Sequence, residues 1–433
     1  MKPELPLTTH RRHFIKTVGG TAAMLSASMA PNLLLGQAKG ANERVRVGVM
    51  GLGRGRGHIS ALMDVPNAEL AYVCDVDKVR LAAGAKAVID KGGKEPKAVE
   101  DFRRMLDDGD LDAISIATPN FCHTPAAIAA CRAGKHVYVE KPGSYNAYEA
   151  RKVVEVAKTT DRKVQMGTQR RSYPGCIAGI QKLREGAIGR VLHARCWYAN
   201  KRQTIGKGQP APPPEGLNWA LWQGPTQDRP FKDNLVHYNW HWHWYYGGGE
   251  LANNGIHSLD IARWALGVQY PERVTCEGGR YHFEDDQETP DTCEAVYSFG
   301  KSGLISWSGT SCHQRKPEKV SFVTVYGEGG EMDFNGSGYT TYDLDGKEID
   351  KNTEKPSDVP HFQNWVNAIT SGEPLNQPIA QGQISTLLCH LGNIAYRTSG
   401  AVKVDPQTGD LVENAAGMKL WAREEGYRTG WDV

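Results

Sequence analysis

Residues 44–57 read Arg44-Val45-Arg46-Val47-Gly48-Val49-Met50-Gly51-Leu52-Gly53-Arg54-Gly55-Arg56-Gly57. The first half alternates and is β-branched, as a buried first strand should be, and the second half is a glycine turn. A helical stretch follows from His58 to about Met63, and Leu70-Ala71-Tyr72-Val73-Cys74 forms a second strand that ends at Asp75. Strand, glycine turn, helix, strand and acid in this order make a dinucleotide-binding unit. Gly51 permits the tight turn, and Gly53 lets the backbone approach a pyrophosphate at the helix N-terminus. Asp75 accepts hydrogen bonds from the adenosine ribose hydroxyls and repels a 2′-phosphate, which favours NAD over NADP. The third glycine of the GxGxxG pattern falls on Arg56. Gly55 and Gly57 flank it, so the helix–strand contact is free to shift by a residue. Arginine at that point reaches a phosphate and keeps NADP open. Arg54, Gly55 and Arg56 therefore join the candidate cofactor residues of the turn.

The alternation continues. Leu111–Ala117 is a strand ending in Thr118-Pro119-Asn120, with His123 in the helix-forming stretch beyond. His136-Val137-Tyr138-Val139 ends in Glu140-Lys141-Pro142, a helix spans about Ala147 to Lys158, and Lys163–Gly167 is a further strand. The strand ends at Thr118, Glu140 and Gly167 share the carboxyl edge, where an open α/β sheet places its ligands. Thr118, Pro119, Asn120, His123, Glu140 and Lys141 extend the candidate cofactor set. This first, Rossmann domain is expected over 42–167.

From about Gly189 the strands lengthen: Val191–Tyr198, Arg273–Gly279, Thr292–Phe299, Gly303–Thr310 and Val320–Tyr326. Such a run implies an α+β domain over 168–402 with a large, mostly antiparallel open sheet. His361–Thr370 and Gly382–Thr398 read as helices that pack back on the body, and 403–433 as a polar, irregular tail.

The GxG turn, Ala117-Thr118-Pro119-Asn120 with His123, Glu140-Lys141-Pro142, and Gly247-Gly248-Gly249 with Gly255-Ile256-His257-Ser258-Leu259-Asp260 resemble the Gfo/Idh/MocA family. The likeness spans about Val45 to Arg397. It implies an NAD(P)-dependent oxidoreductase acting on sugars, inositols or related polyols, with a second-domain sheet that covers the nicotinamide and mediates oligomerisation, hence a homo-oligomer. It places Lys141 beside the nicotinamide, before a cis proline, and makes His257 the base that takes a hydroxyl proton while Lys141 stabilises developing alkoxide. The family usually carries an aspartate four residues before the histidine; here that position is Asn253, which orients substrate but holds no charge. His257 and Asp260 stand at i and i+3 and can share a helix face, so Asp260 is a candidate for part of the missing acid function.

Gln169 and Arg170 follow a strand end on the ligand edge and can donate to sugar hydroxyls. Residues 219–246 hold Trp219, Trp222, His237, Tyr238, Trp240, His241, Trp242, His243, Trp244, Tyr245 and Tyr246. If this run is extended, Trp240, Trp242 and Trp244 share one face. Indoles stack on pyranose faces, so Trp242 and Trp244 become candidate substrate residues beside Asn253 and His257. His237, His241 and His243 lack an adjoining carboxylate or thiolate, and no metal is expected.

The 433 residues are 40 % hydrophobic and 23 % charged, a globular balance, with 48 glycines and 11 tryptophans. Residues 1–40 carry five basic residues against one acid, +4 of the formal +2, so the remaining chain is −2. That near-neutral body excludes a nucleic-acid binder, which needs a basic stripe. Nine cysteines form no CxxC pair and no zinc spacing, and no disulfide framework is expected. Arg11-Arg12-His13-Phe14-Ile15-Lys16 and the apolar small-residue stretch Val18–Leu35 resemble a twin-arginine export signal over 1–38, too short and small-sided for stable membrane insertion. Three readings result. One is an exported oxidoreductase with a tightly held, recycled cofactor and a sugar or glycoside substrate. Another is a redox-neutral glycosidase that oxidises, eliminates, hydrates and reduces. The last is a non-catalytic sugar-binding module.

Overall fold

The computed structural model describes residues 44–312, 320–431 and 433; the export-signal segment lies outside them. Six parallel strands form the first sheet: β1 (Val45–Met50), β2 (Ala68–Cys74), β3 (Lys97–Val99), β4 (Ala113–Ile116), β5 (His136–Glu140) and β6 (Val164–Gly167). Their order is β3-β2-β1-β4-β5-β6, the doubly wound arrangement. β1, β4 and β5 are apolar almost throughout because helices cover both faces, which is why they read as continuous runs. Helix Lys78–Asp90 starts where Asp77 accepts hydrogen bonds from the Val79 and Arg80 amides (2.8 and 3.0 Å).

The second sheet has nine strands: β7 (Val191–Ala199), β8 (Arg273–Gly279), β9 (Thr292–Ser298), β10 (Leu304–Thr310), β11 (Val323–Gly327), β12 (Gly330–Asn335), β13 (Gly338–Tyr342), β14 (Glu348–Asn352) and β15 (Val402–Lys403). The order is β14-β13-β12-β11-β7-β10-β9-β8-β15, antiparallel except where β10 runs parallel to β7. One face is buried under helices Ile256–Leu266 and Ile379–Arg397, giving one apolar core that includes Ala194, Cys196, Ile305, Trp307, Leu259 and Leu388. The strand texture of the sequence is thus present, but β12 to β14 extend the sheet beyond the five strands it signalled. β14 reads Glu-Ile-Asp-Lys-Asn, an edge strand with no apolar run to announce it. All nine cysteines are buried free thiols.

Two segments return to the first sheet. Helix Val359–Ser371 sets Phe362, Trp365 and Val366 against Val47, Val49 and Tyr138, with the Tyr138 and Phe362 rings stacked at 4.2 Å. Truncating Trp365 there costs about 3–5 kcal/mol. Residues 403–433, read from sequence as a polar tail, are irregular but docked. Trp421 is buried, and Arg423 pairs at 3.3 Å with Glu149, itself fully buried in helix Ala147–Thr159.

Candidate active site

The carboxyl ends of β1, β2, β4 and β5 open into a cleft of about 730 Å³, walled on the far side by residues 217–257. Its floor is the glycine turn. Gly51 adopts φ 85°, and a Cβ there would stand 2.6 Å from the Ala117 carbonyl oxygen, so only glycine fits. Gly55 is buried, with an added Cβ 3.0 Å from Val49 Cγ1, whereas Arg56 is exposed on the cleft. The helix–strand contact has therefore moved one residue forward, and Gly55 is a packing glycine rather than a cleft residue.

Asp75 lines the cleft at the end of β2 and accepts the Leu52 amide at 2.6 Å and the Asp77 amide at 2.9 Å. Burial pushes its carboxyl above the usual range, and the two amides oppose that. Arg54 lines the cleft but is committed to Glu140 (3.0 Å) and Asp358 (2.6 Å). Glu140, nearly dry, also accepts from His58 Nε2 (3.0 Å), Gln169 Nε2 (3.1 Å) and the Lys141 amide (3.0 Å). Burial pushes its carboxyl upward, but the His58 hydrogen bond and the Arg54 charge outweigh it and hold it well below the usual range. Glu140 thus anchors the strand end that presents Lys141. His123 ties the Thr118 and Pro142 carbonyls at 2.7 Å each. Thr118, Pro119 and Asn120 also line the cleft, and Thr118 Oγ1 is buried with no partner.

Across the cleft the backbone makes a π-type turn, Leu251–Gly255, before helix Ile256–Leu266. The turn carries Asn253, whose backbone carbonyl and Oδ1 accept from Lys141 Nζ at 2.7 and 3.2 Å. Burial lowers the Lys141 pKa, and Glu140 opposes the shift. The Lys141–Pro142 bond is cis. His257 faces the same cleft with Nδ1 buried and unpartnered. Burial and the Lys141 charge push its pKa well below the ordinary value, so the imidazole is neutral at pH 7.

The structure separates other sequence candidates from this group. Asp260 is 1 % exposed and faces away from the cleft. It accepts from Arg171 (2.8 and 2.9 Å), Ser385 (2.6 Å) and Gln377 (2.9 Å), a buried anchor holding the helix to its neighbours. Arg170 sits over Phe322 at 4.6 Å and bonds the Gly336 carbonyl rather than lining the cleft, yet its charge still reaches Lys141 and His257 and lowers the pKa of both. Asn239–Trp242 is a 3-10 turn, not an extended run, so the three tryptophans do not share a face. Trp242 is 2 % exposed beneath Arg202, and Trp244 packs on Arg397 at a separate hollow. Gln169 does line the cleft.

Sequence reading missed Tyr238 and His241. Tyr238 is 47 % exposed in the cleft wall, and its hydroxyl accepts from Asn253 Nδ2 at 3.2 Å. His241 Nδ1 meets the Tyr238 carbonyl at 2.6 Å, so that nitrogen carries the proton and Nε2 is an acceptor. Its ring stacks on Trp240 at 3.5 Å, and burial pushes its pKa down to about 3. The density of histidine and tyrosine in 237–246 is visible in the sequence, but the alternation there singles out the tryptophans. Among the described residues no cluster of three or more His, Cys, Asp or Glu is placed to hold a metal.

A cradle that only glycine fits, an acid at the end of β2 and an unpartnered hydroxyl at the end of β4 suit a dinucleotide. The comparisons agree. Residues 45–168 match the oxidoreductase family described as having an NAD-binding Rossmann fold, and residues 180–333 match the GFO/IDH/MocA C-terminal domain. Among curated relatives, the alpha-N-acetylgalactosaminidase of Shewanella oneidensis is 26 % identical over 212 residues, covering 44 % of this chain and 46 % of that protein. A glycosyl hydrolase family 109 protein of Shewanella pealeana is 27 % identical over 211 residues, with the same shares. The match spans less than half the length of these relatives. Among solved structures, levoglucosan dehydrogenase in complex with NADH and levoglucosan superposes with a TM-score of 0.67 and 19 % identity, covering 83 % of this chain and 99 % of that one. The WlbA dehydrogenase of Bordetella pertussis, in complex with NADH and UDP-GlcNAcA, gives 0.63 and 20 %, covering 84 % and 99 %. The chain belongs to the Gfo/Idh/MocA family of NAD-binding oxidoreductases.

Proposed function

We propose that the chain transfers hydride between nicotinamide and a carbon of a sugar or glycoside, with His257 taking the hydroxyl proton and Lys141 stabilising the oxygen it leaves. The observation that carries this reading is the Lys141–Asn253 contact and the unpartnered His257 lining the same cleft as Asp75. The residues fit NAD: Gly51 and Gly53 for the pyrophosphate, Asp75 for the ribose, and Thr118 through Asn120 along the cleft. Bound NAD supplies the hydride acceptor. A neutral imidazole is a competent base near pH 7, a role worth about 10²–10⁴ in rate. Lys141 Nζ, kept by Asn253 at a fixed place, donates to the developing alkoxide. Gln169 and Tyr238 are placed to meet the sugar, Tyr238 by offering a ring face and hydroxyl.

Lys141→Met tests this assignment. The variant should retain NAD and lose hydride transfer by about 10²–10³-fold, as removal of one oxyanion donor does. Unchanged turnover would remove Lys141 from the chemistry.

A second reading, redox-neutral glycoside cleavage, is favoured by the glycosyl hydrolase relatives and by His241. Oxidation of a sugar carbon to a ketone acidifies the neighbouring C–H. His241, an unprotonated lining residue of the cleft, takes that proton and returns it to the glycosidic oxygen as the C–O bond breaks, leaving an enone and a neutral imidazole. Release of free sugar with no net NADH distinguishes this from simple dehydrogenation.

The Arg11-Arg12 motif supports export by the twin-arginine route to the periplasm, and a location without a free NAD pool supports a retained, recycled cofactor. Trp197, Leu304 and Tyr326, on the face of the second sheet opposite its helices, are exposed or half-buried and support a homo-oligomer built on that face. Among the described residues no helix is long and apolar enough to cross a membrane.

A further inference from the structure

We infer that two segments outside the dinucleotide-binding unit, the insert around 217–229 and the segment 421–431, form a closed strap over the adenosine end of the cleft, with Trp431 as its latch. The inference rests on the NAD-binding reading and concerns how the cofactor is kept. β3 lies beside β2, so the loops after both strands border the Asp75 end of the cleft. Each loop is gripped by a different segment. The insert reaches the β2 loop, where the Asn218 amide donates to the Val76 carbonyl at 2.9 Å and Asp77 bridges Leu217. The 421–431 segment reaches the β3 loop, where Trp431 stacks on Phe102 at 5.5 Å and 29°. Leu217, Trp222, Phe102 and Trp431 all line the cleft.

The two segments are also tied to each other. The Arg428 guanidinium bonds the Ala220 carbonyl at 2.9 Å and Asp228 at 3.1 Å, and its amide donates to the Pro225 carbonyl at 2.9 Å. Arg229 pairs with Glu425 at 2.8 Å. The strap is fixed to the body by the dry Arg423–Glu149 pair and by the Tyr427 hydroxyl on Glu149 at 3.0 Å. A dinucleotide seated at Asp75 leaves only when this ring opens. The joint at Trp431 is an aromatic contact, its ring stacked on Phe102 and packed beside Gly224, whereas the base of the strap is held by a buried ion pair. NAD is then a resident group whose exchange rate is set by Trp431 and Arg428, residues that touch neither Lys141 nor His257.

The test uses the full chain and NAD carrying a heavy-isotope nicotinamide. Protein equilibrated with unlabelled NAD is mixed with an excess of the heavy form, and the nucleotide released by acid from the washed protein is weighed by mass spectrometry over time. Wild type should exchange slowly. Trp431→Ala should exchange about tenfold faster or more, the scale of one lost aromatic–base contact. Arg428→Ala should move in the same direction, and Trp431→Phe should restore slow exchange. Thermal melting of each variant confirms that the fold is kept. Equal exchange rates in wild type, Trp431→Ala and Arg428→Ala, with NAD bound in all three, overturn the strap. Absence of bound NAD in wild type instead overturns the NAD-binding reading itself.

Discussion

Replacing Asn253 with aspartate should move the whole pH profile of turnover to higher pH. Asn253 Oδ1 stands 3.2 Å from Lys141 Nζ. A carboxylate oxygen at that distance attracts the ammonium by about 5 kcal/mol at an effective dielectric of about 20, and by about 1.3 kcal/mol in bulk water. At about 1.4 kcal/mol per pH unit the Lys141 pKa rises by about one to four units. The sign is the same for His257, which burial first, and then the charges of Lys141 and Arg170, hold well below its ordinary value. An added anion one turn away favours its protonated form. The base must be neutral and the lysine charged, so the acid limb of kcat/KM, set by His257, and the alkaline limb, set by Lys141, both rise. The Tyr238 hydroxyl, which now accepts from Asn253 Nδ2, can donate to the new carboxylate, so the contact survives. The assay is a pH–rate profile from pH 5 to 10, paired with ¹⁵N-histidine NMR to follow His257 directly. Limbs that stay fixed or move to lower pH, with the His257 titration unchanged, would refute this electrostatic coupling.

Asp260→Asn should act on stability rather than on chemistry. It leaves the buried Arg171 guanidinium without its carboxylate, a loss of about 3–5 kcal/mol in denaturant unfolding, while the folded fraction keeps its turnover number. A hundredfold fall in kcat at unchanged stability would place Asp260 in the reaction after all. Acid should unfold the chain early. Burial pushes His361 down to about 4 and His390 down to about 3, so both stay neutral in the fold yet protonate in the unfolded chain below about pH 6.5. The unfolded state binds more protons throughout that window, so stability falls as pH drops, by about 2 kcal/mol per pH unit on average for the two together between pH 6 and 4. A flat stability curve there contradicts their buried neutral state. Gly51→Ala forces a side chain into φ 85° against the Ala117 carbonyl, and NAD content after purification should collapse; normal NAD content would mean that the turn is not the cradle.

The fold was legible where local pattern and tertiary role coincide. The continuous apolar runs of β1, β4 and β5 announce strands covered on both sides, and Gly51 announces the turn. The shift of the packing glycine to Gly55 was open in the sequence because Gly55 and Gly57 flank Arg56 equally. Only the 3.0 Å approach to Val49 decides between them. Lys141, Asn253 and His257 were named from motifs on separate elements, and tertiary packing brings Lys141 to Asn253 across 112 residues of chain. Asp260 misled because i and i+3 positions share a helix face only roughly, and here Arg171, Ser385 and Gln377 draw it to the side away from the cleft. The aromatic insert misled more deeply. Its alternation is compatible with a strand, but the hydrogen bond from His241 to the Tyr238 carbonyl closes a turn that buries Trp242 and frees Tyr238. Trp431 had no local signal at all, since its partner Phe102 is remote in sequence.

The central claim is that this cleft moves hydride to and from a sugar. It is tested most directly by mixing NAD-loaded protein with sugars and glycosides, one at a time, while following absorbance at 340 nm on the millisecond to minute scale. Absorbance should rise with at least one of them, lasting if the protein is a dehydrogenase and transient, with release of free sugar, if it cleaves glycosides. NAD-loaded protein that binds a sugar yet shows no absorbance at 340 nm on any timescale, and releases no product, would contradict it.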